Sequence, residues 1–212
     1  MTAKPEKPET RASLWAGEFG NDYHARNPLM SASIAQRGVW LRSVISSYIT
    51  SIGSVLEPGC GMGANLASFH EFNSRMKLSG IEANAEAAAA ATRYAFITPG
   101  DAATVPMGTD AFDLVLTCGF LIHVPPAALA PLMRKLFDAS SRFILSAEYF
   151  SRDCEEAPYQ GMDGALWRRP YGDLWMDACP AGQLKPLSSG FAWKRTTGLD
   201  DLTWHLFEKV KP

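Results

Sequence analysis

The segment Glu57-Pro58-Gly59-Cys60-Gly61-Met62-Gly63 is where residue type and spacing first point to chemistry in this 212-residue chain. Glycines let a backbone turn tightly and come close to a ligand. A helix starting just after the loop would aim its free N–H groups at whatever sits there. The run Gly59-x-Gly61-x-x-Ala64 also satisfies the dinucleotide fingerprint, so a nicotinamide cofactor stays open at this point.

Three acidic residues sharpen the reading. Glu57 comes immediately before the loop. A carboxylate there is unfavourable beside a pyrophosphate and favourable beside an ammonium or a sulfonium. Glu82 lies 21 residues after Gly61, where an acidic side chain accepts hydrogen bonds from ribose hydroxyls. Asp101 follows a third short apolar segment, where a carboxylate can accept from an adenine amino group. Taken singly, each is an exposed acidic residue at the end of a strand. Their common register with the glycine loop makes that reading hard to sustain for all three.

The elements that must position these groups follow from periodicity. Apolar spacing predicts a helix over 34–48 and strands at 54–57, 77–82, 96–98, 112–117 and 142–147. Helices are expected over 65–72, from an Asn84 cap to about 94, and around Leu129, Leu132, Met133, Leu136 and Phe137. Alternating strands and helices imply a parallel sheet covered on both faces. Residues 151–189 read as irregular, with Pro158, Pro170, Pro180 and Pro186. Two closing strands are expected at 191–195 and 202–210, around a turn at Gly198-Leu199-Asp200-Asp201.

Composition sets limits. Apolar residues make up 47% of the chain, enough for one sizeable core. A net charge of -2 gives no general attraction to nucleic acid or to anionic membranes, and no run of 18 apolar residues exists. Residues 1–12 are expected to form a disordered tail, 13–50 a helical cap, and 51–212 the main domain with a substrate-region insertion at about 151–190. The cysteines at 60, 118, 154 and 179 form no metal-binding pair and are expected to be buried free thiols in a reducing cytoplasm; no metal site is expected.

Taken in order, Val55-Leu56-Glu57-x-Gly59-x-Gly61-x-Gly63, Gly80-Ile81-Glu82, Gly100-Asp101-Ala102 and Phe112-Asp113-Leu114-Val115 resemble class I S-adenosylmethionine-dependent methyltransferases. The resemblance implies a Rossmann-like α/β fold: a seven-stranded, mostly parallel sheet with helices on both faces, the last strand antiparallel, and an N-terminal helical cap. It implies S-adenosyl-L-methionine as cofactor and S-adenosyl-L-homocysteine as product. It also implies a cofactor site of Tyr23, Arg26, Glu57, Gly59, Cys60, Gly61, Asn65, Glu82, Ala83, Asp101, Ala102, Cys118, Gly119 and His123.

A narrower resemblance covers nearly the whole chain. Trp15-Ala16-Gly17-Glu18-Phe19-Gly20-x-x-Tyr23-x-x-Arg26-Asn27, Leu121-Ile122-His123-Val124-Pro125, Glu148-Tyr149-Phe150 and Thr203-Trp204-x-Leu206-Phe207-Glu208-Lys209 are similar to the pseudaminic acid biosynthesis-associated methylases. This resemblance implies a small acceptor of sugar or nonulosonic-acid type. Tyr159-Gln160-Gly161 and Leu166-Trp167-Arg168-Arg169 match that family only loosely.

Methyl transfer gains most of its rate from holding acceptor and methyl in line, and needs a base only when the acceptor loses a proton. On the expected fold His123 is the candidate base, and Glu148 and Tyr149 face the same cleft as candidates to orient or deprotonate the acceptor. Trp15, Phe19, Tyr23 and Arg26 share one face of a helix and can form a lid, with Arg26 meeting the methionine carboxylate. Trp15, Tyr23, Tyr149, Arg168 and Arg169 are the expected acceptor-binding residues. Two other readings compete: an NAD-dependent oxidoreductase using the same loop, and a non-catalytic S-adenosylmethionine-binding module.

Overall fold

In the computed structural model, which describes residues 11–210, the chain opens with three helices: α1 (Arg11–Ala16), α2 (Glu18–Arg26) and α3 (Ser31–Ile45). Strands and helices then alternate as β1 (Ser54–Pro58), α4 (Ala64–Phe72), β2 (Lys77–Glu82), α5 (Ala85–Ala91), β3 (Phe96–Pro99), β4 (Phe112–Cys118), α6 (Pro126–Ala139) and β5 (Ser140–Glu148). The remainder is β6 (Glu155–Tyr159), β7 (Met162–Arg168), α7 (Tyr171–Ala178), β8 (Leu184–Ala192), α8 (Lys194–Thr197) and β9 (Leu202–Lys209).

Seven strands form one sheet in the order β3-β2-β1-β4-β5-β9-β8. The first five pair in parallel, and β9 runs antiparallel between β5 and β8. The expected architecture is therefore present. Side-chain alternation sorts the core into two layers. Val55, Leu114 and Leu116 face α3, α4 and α5, whereas Leu56, Val115 and Ile144 face α6 and α7. Strands buried on both faces favour apolar residues at successive positions, which is why the centres of β4 (Leu114-Val115-Leu116) and β5 (Phe143-Ile144-Leu145) are apolar runs. On α6 the apolar positions 129, 132, 133, 136 and 137 are all buried.

Several expectations need correction. The helix from Trp15 to Arg26 is two helices, because the chain bends at Gly17. The helix expected over 34–48 is a 15-residue α3 (Ser31–Ile45), with a separate 3-10 turn at Ile49–Ser51 before β1. The first closing strand lies at Leu184–Ala192, and residues 194–197 are helical. Pro186 hid this strand; proline is tolerated there because β8 is a sheet edge, with a register shift between Pro186 and Ser188. Residues 151–189 are not irregular either. β6 and β7 form a hairpin whose two-residue turn, Gln160-Gly161, has positive φ at both positions (49° and 80°). Of the expected tail, residues 1–10 lie outside the described residues, and 11–12 already belong to α1. The expected buried thiols hold for Cys60 and Cys179, but Cys118 is half-buried and Cys154 is exposed. Among the described residues no helix is long and apolar enough to cross a membrane.

Candidate active site

β1, β2, β3 and β4 all end on one side of the sheet, where open sheets of this kind bind ligands. A cavity of about 910 Å³ lies there. All fourteen residues of the expected cofactor site line it. A second cavity of about 100 Å³ adjoins it and shares Tyr23, Arg37, His123 and Asp200 with it.

The glycine loop is shaped by backbone conformations that L side chains rarely adopt: φ is +64° at Gly59 and +54° at Gly61. Gly61 N donates to Glu82 Oε2 at 2.7 Å, and Asn84 N donates to Glu82 Oε1 at 2.8 Å. The Glu82 carboxylate thus ties the loop to the end of β2. A carboxylate has about four acceptor positions, so one on each oxygen remains open. Asp101 accepts from Ala103 N at 2.8 Å, which turns the chain just beyond β3.

Glu57 is buried, 2% exposed. Asn65 Nδ2 donates to its Oε1 at 2.6 Å, while Arg37 Nη1 donates to Asn65 Oδ1 at 3.1 Å. Glu57 Oε2 and Arg37 Nε are both buried without a hydrogen-bond partner among the described residues. Burial pushes the Glu57 carboxyl up to about 8 against the lowering effect of Asn65. Ionising this buried carboxyl needs a cationic partner placed against it. The cavity therefore has a carboxyl and a guanidinium in its wall, bridged by Asn65, each with one atom unsatisfied. That arrangement suits the ammonium and carboxylate of an α-amino acid. Cys60 and Cys118 also line the cavity, but burial raises both thiols, Cys118 to about 12, so neither offers a thiolate.

His123 ends a 3-10 turn (Leu121–His123) and lines both cavities. Its Nδ1 lies 2.7 Å from the Ala165 carbonyl of β7. A carbonyl only accepts, so Nδ1 carries the proton and Nε2 is the basic nitrogen. The Trp15 ring packs edge-on against His123 at 4.7 Å, and the Tyr159 ring packs at 5.0 Å. Trp15 also meets Phe19 and Tyr23, at 5.1 and 5.3 Å. Despite the bend at Gly17, the aromatic stripe acts as one surface, closed onto His123 and the β6–β7 hairpin.

Four expected residues stand elsewhere or act differently. Glu148 and Tyr149 cannot share a cleft, because consecutive residues at a strand end point to opposite faces. Glu148 is 1% exposed and accepts from Leu121 N at 3.2 Å and Ile122 N at 3.4 Å. Burial pushes it up to about 8. It holds the turn that carries His123. Tyr149 lines the smaller cavity and donates its hydroxyl to Asp200 Oδ2 at 2.8 Å. Burial, then Asp200, raises it well above a phenol's ordinary value, so the hydroxyl stays protonated as a donor to Asp200. Arg168 is exposed and lines neither cavity. Arg169 turns into the core, 1% exposed, with Nη2 donating to the Val124 carbonyl at 2.9 Å and its guanidinium over Trp167. Its place is set by the end of β7, where the chain folds back into α7.

Arg26 lines the larger cavity, but its Nη2 donates to Gln160 Oε1, which latches α2 to the hairpin turn. The cation beside Glu57 is Arg37, which sequence reasoning missed because it sits among the apolar positions of α3. Asp200 was also missed; Gly198-Leu199-Asp200-Asp201 carried only a turn signal. Tyr159 was missed as well; Tyr159-Gln160-Gly161 stood only as a loose family match in a stretch read as irregular, and its glycine could have placed it at a hairpin tip.

Comparisons with known proteins agree with this geometry. Residues 55–141 match a methyltransferase domain family. No curated protein matches the chain. A Burkholderia thailandensis 1,6-didemethyltoxoflavin-N1-methyltransferase, solved with 1,6-didemethyltoxoflavin and S-adenosylhomocysteine, is similar at a TM-score of 0.71 and 16% identity, over 100% of this chain and 94% of that one. Magnesium protoporphyrin IX methyltransferase from Synechocystis PCC 6803, solved with S-adenosylmethionine, is similar at 0.68 and 11%, over 98% and 100%. The [4+2]-cyclase SpnF is similar at 0.61 and 13%, over 81% and 80%. At these identities the likeness is one of fold, and the cyclase shows that this fold also hosts other chemistry.

Proposed function

We propose that the methyltransferase domain of this chain uses S-adenosylmethionine and delivers its methyl group to a small molecule held beside His123 and Tyr149. The observation that carries this reading is the pair of unsatisfied buried atoms, Glu57 Oε2 and Arg37 Nε, joined through Asn65 in the wall of the larger cavity. A zwitterionic amino acid end supplies an ammonium for the first and a carboxylate for the second. NAD carries neither, and its pyrophosphate would meet the Glu57 carboxyl.

When bound, the cofactor supplies an electrophilic methyl group on a sulfonium. The residues of this chain would do the rest. Glu57 and Arg37 hold the amino acid end, Glu82 accepts from the ribose, and Asp101 accepts from the adenine amino group. Trp15, Phe19 and Tyr23 close over the cleft and exclude water. His123 Nε2 takes the proton of a hydroxyl or amine acceptor. The finer reading, a sugar or nonulosonic-acid-type acceptor in cytoplasmic metabolism, draws its support from the narrower resemblance; Arg168 and Arg169 lend it none.

Calorimetric titration tests the assignment. S-adenosylhomocysteine is expected to bind, 5′-methylthioadenosine to bind more weakly for want of the amino acid end, and NAD not to bind. Replacing Arg37 with Ala should weaken S-adenosylhomocysteine and leave 5′-methylthioadenosine unchanged. Tight NAD binding without S-adenosylhomocysteine binding would refute the reading.

A further inference from the structure

The smaller cavity is about 100 Å³, far below the size of a whole ligand site, so it can take one end of a molecule whose remainder lies in the larger cavity. Its wall is unusually rich in oxygen: the hydroxyls of Tyr23, Tyr149 and Tyr159 and the carboxylate of Asp200. Leu199 and Leu202 supply apolar surface beside them.

Asp200 is set up as an acceptor of hydrogen bonds. Lys194 Nζ donates to its Oδ1 at 2.9 Å, and Tyr149 OH donates to its Oδ2 at 2.8 Å. Each carboxylate oxygen has two acceptor positions, so one on each oxygen remains. Two positions side by side match two donors on adjacent carbons, much as a carboxylate meets a guanidinium fork. Burial alone would raise this carboxyl, but Lys194 and Tyr149 outweigh it and hold it below its ordinary value. Asp200 is therefore a standing negative charge, with Arg37 the other charged side chain in the wall. Burial raises both Tyr23 and Tyr159, so they stay protonated.

We propose, building on the methyltransferase reading above, that this cavity is the acceptor site and that Asp200 anchors the acceptor through two adjacent hydrogen-bond donors, as in a vicinal diol or an amino alcohol. Tyr149 is the positioning residue that fixes the Asp200 carboxylate. An acceptor with a carboxylate or phosphate at this end is repelled by Asp200. An acceptor lacking donors there leaves the remaining acceptor position on each Asp200 oxygen unfilled by the ligand and forgoes those hydrogen bonds.

Saturation-transfer NMR on the whole chain, with excess S-adenosylhomocysteine, tests this with three probes of one shape: cis-1,2-cyclohexanediol, 2-aminocyclohexanol and cyclohexane-1,2-dicarboxylate. The diol and the amino alcohol are expected to bind, and the dicarboxylate is not. Asp200→Asn should weaken diol binding at least tenfold, and Tyr149→Phe by a smaller factor, while both keep the wild-type unfolding midpoint and S-adenosylhomocysteine affinity. Three results would each overturn the proposal: unchanged diol binding in Asp200→Asn, dicarboxylate binding as tight as the diol's, or no binding by either donor-bearing probe. Failure of S-adenosylhomocysteine to bind the wild-type chain would instead refute the cofactor reading, and repeating the diol titration on the chain alone separates the two failures.

Discussion

Asn84 Nδ2 donates to Asn21 Oδ1 at 2.6 Å, and thereby fastens the N-terminal lid to the end of the central sheet. The same nitrogen reaches the Trp15 carbonyl at 3.1 Å. The other side-chain atom of Asn84, Oδ1, accepts from Ala87 N at 2.9 Å and caps α5. One buried side chain therefore starts a helix and holds a lid. Removal of such a cap costs about 0.5–2 kcal/mol. Asn84→Ala is expected to lose that stability in urea unfolding. It should also expose the 11–26 segment to limited proteolysis well below the global transition. Asn84→Asp keeps the cap and loses the tether, so it should affect proteolysis more than stability.

If Glu57 meets the cofactor ammonium as proposed, cofactor binding is expected to depend on pH. With burial raising its carboxyl from an ordinary 4.5 to about 8, it is protonated in the ligand-free chain at neutral pH. A cation placed against it favours the ionised form, so binding should release a proton below pH 8. Affinity for S-adenosylhomocysteine is expected to rise with pH from 6 toward 8 and then level off. Calorimetry in buffers of different ionisation enthalpy measures the proton release, which Glu57→Gln should abolish.

Glu82 and Asp101 should each matter to cofactor affinity. Replacement by Ala is expected to weaken S-adenosylhomocysteine binding by about 1–3 kcal/mol, the scale of a lost hydrogen bond that leaves its partner unpaired. Glu82→Ala should be the worse, because it also frees Gly61 N and Asn84 N. Unchanged affinity in both variants would mean that the adenosine lies elsewhere.

Glu148 should act on turnover through His123. Glu148→Ala leaves two buried N–H groups of the His123 turn unpaired and is expected to cost about 1–3 kcal/mol in stability. It should lower kcat more than it raises KM for the cofactor. The folded-state carboxyl lies near 8 against an ordinary 4.5, so its stabilising contribution is full below 4.5 and disappears as pH rises through 8. The unfolding midpoint of the ligand-free chain should fall across that window, and Glu148→Gln should flatten the fall.

The sequence by itself determined the sheet, the loop and the cofactor face. Period-two and period-3.6 patterns are local, and β1, β2 and β4 and the apolar face of α6 all appear where those patterns put them. Glu57, Glu82 and Asp101 were legible because each ends or follows a strand, and parallel strands bring their ends to one edge. Tertiary structure decided the smaller cavity. The aromatic lid, the β6–β7 hairpin and the 198–201 turn lie far apart in the chain, and no spacing rule says that Tyr23, Tyr149, Tyr159 and Asp200 will meet. Side-chain direction was the other hidden variable. One step along an extended chain separates Glu148 from Tyr149, and one step at the end of β7 separates the exposed Arg168 from the buried Arg169. Which of two neighbours faces a cavity is set by packing against elements distant in sequence, so it is fixed only when the chain has folded.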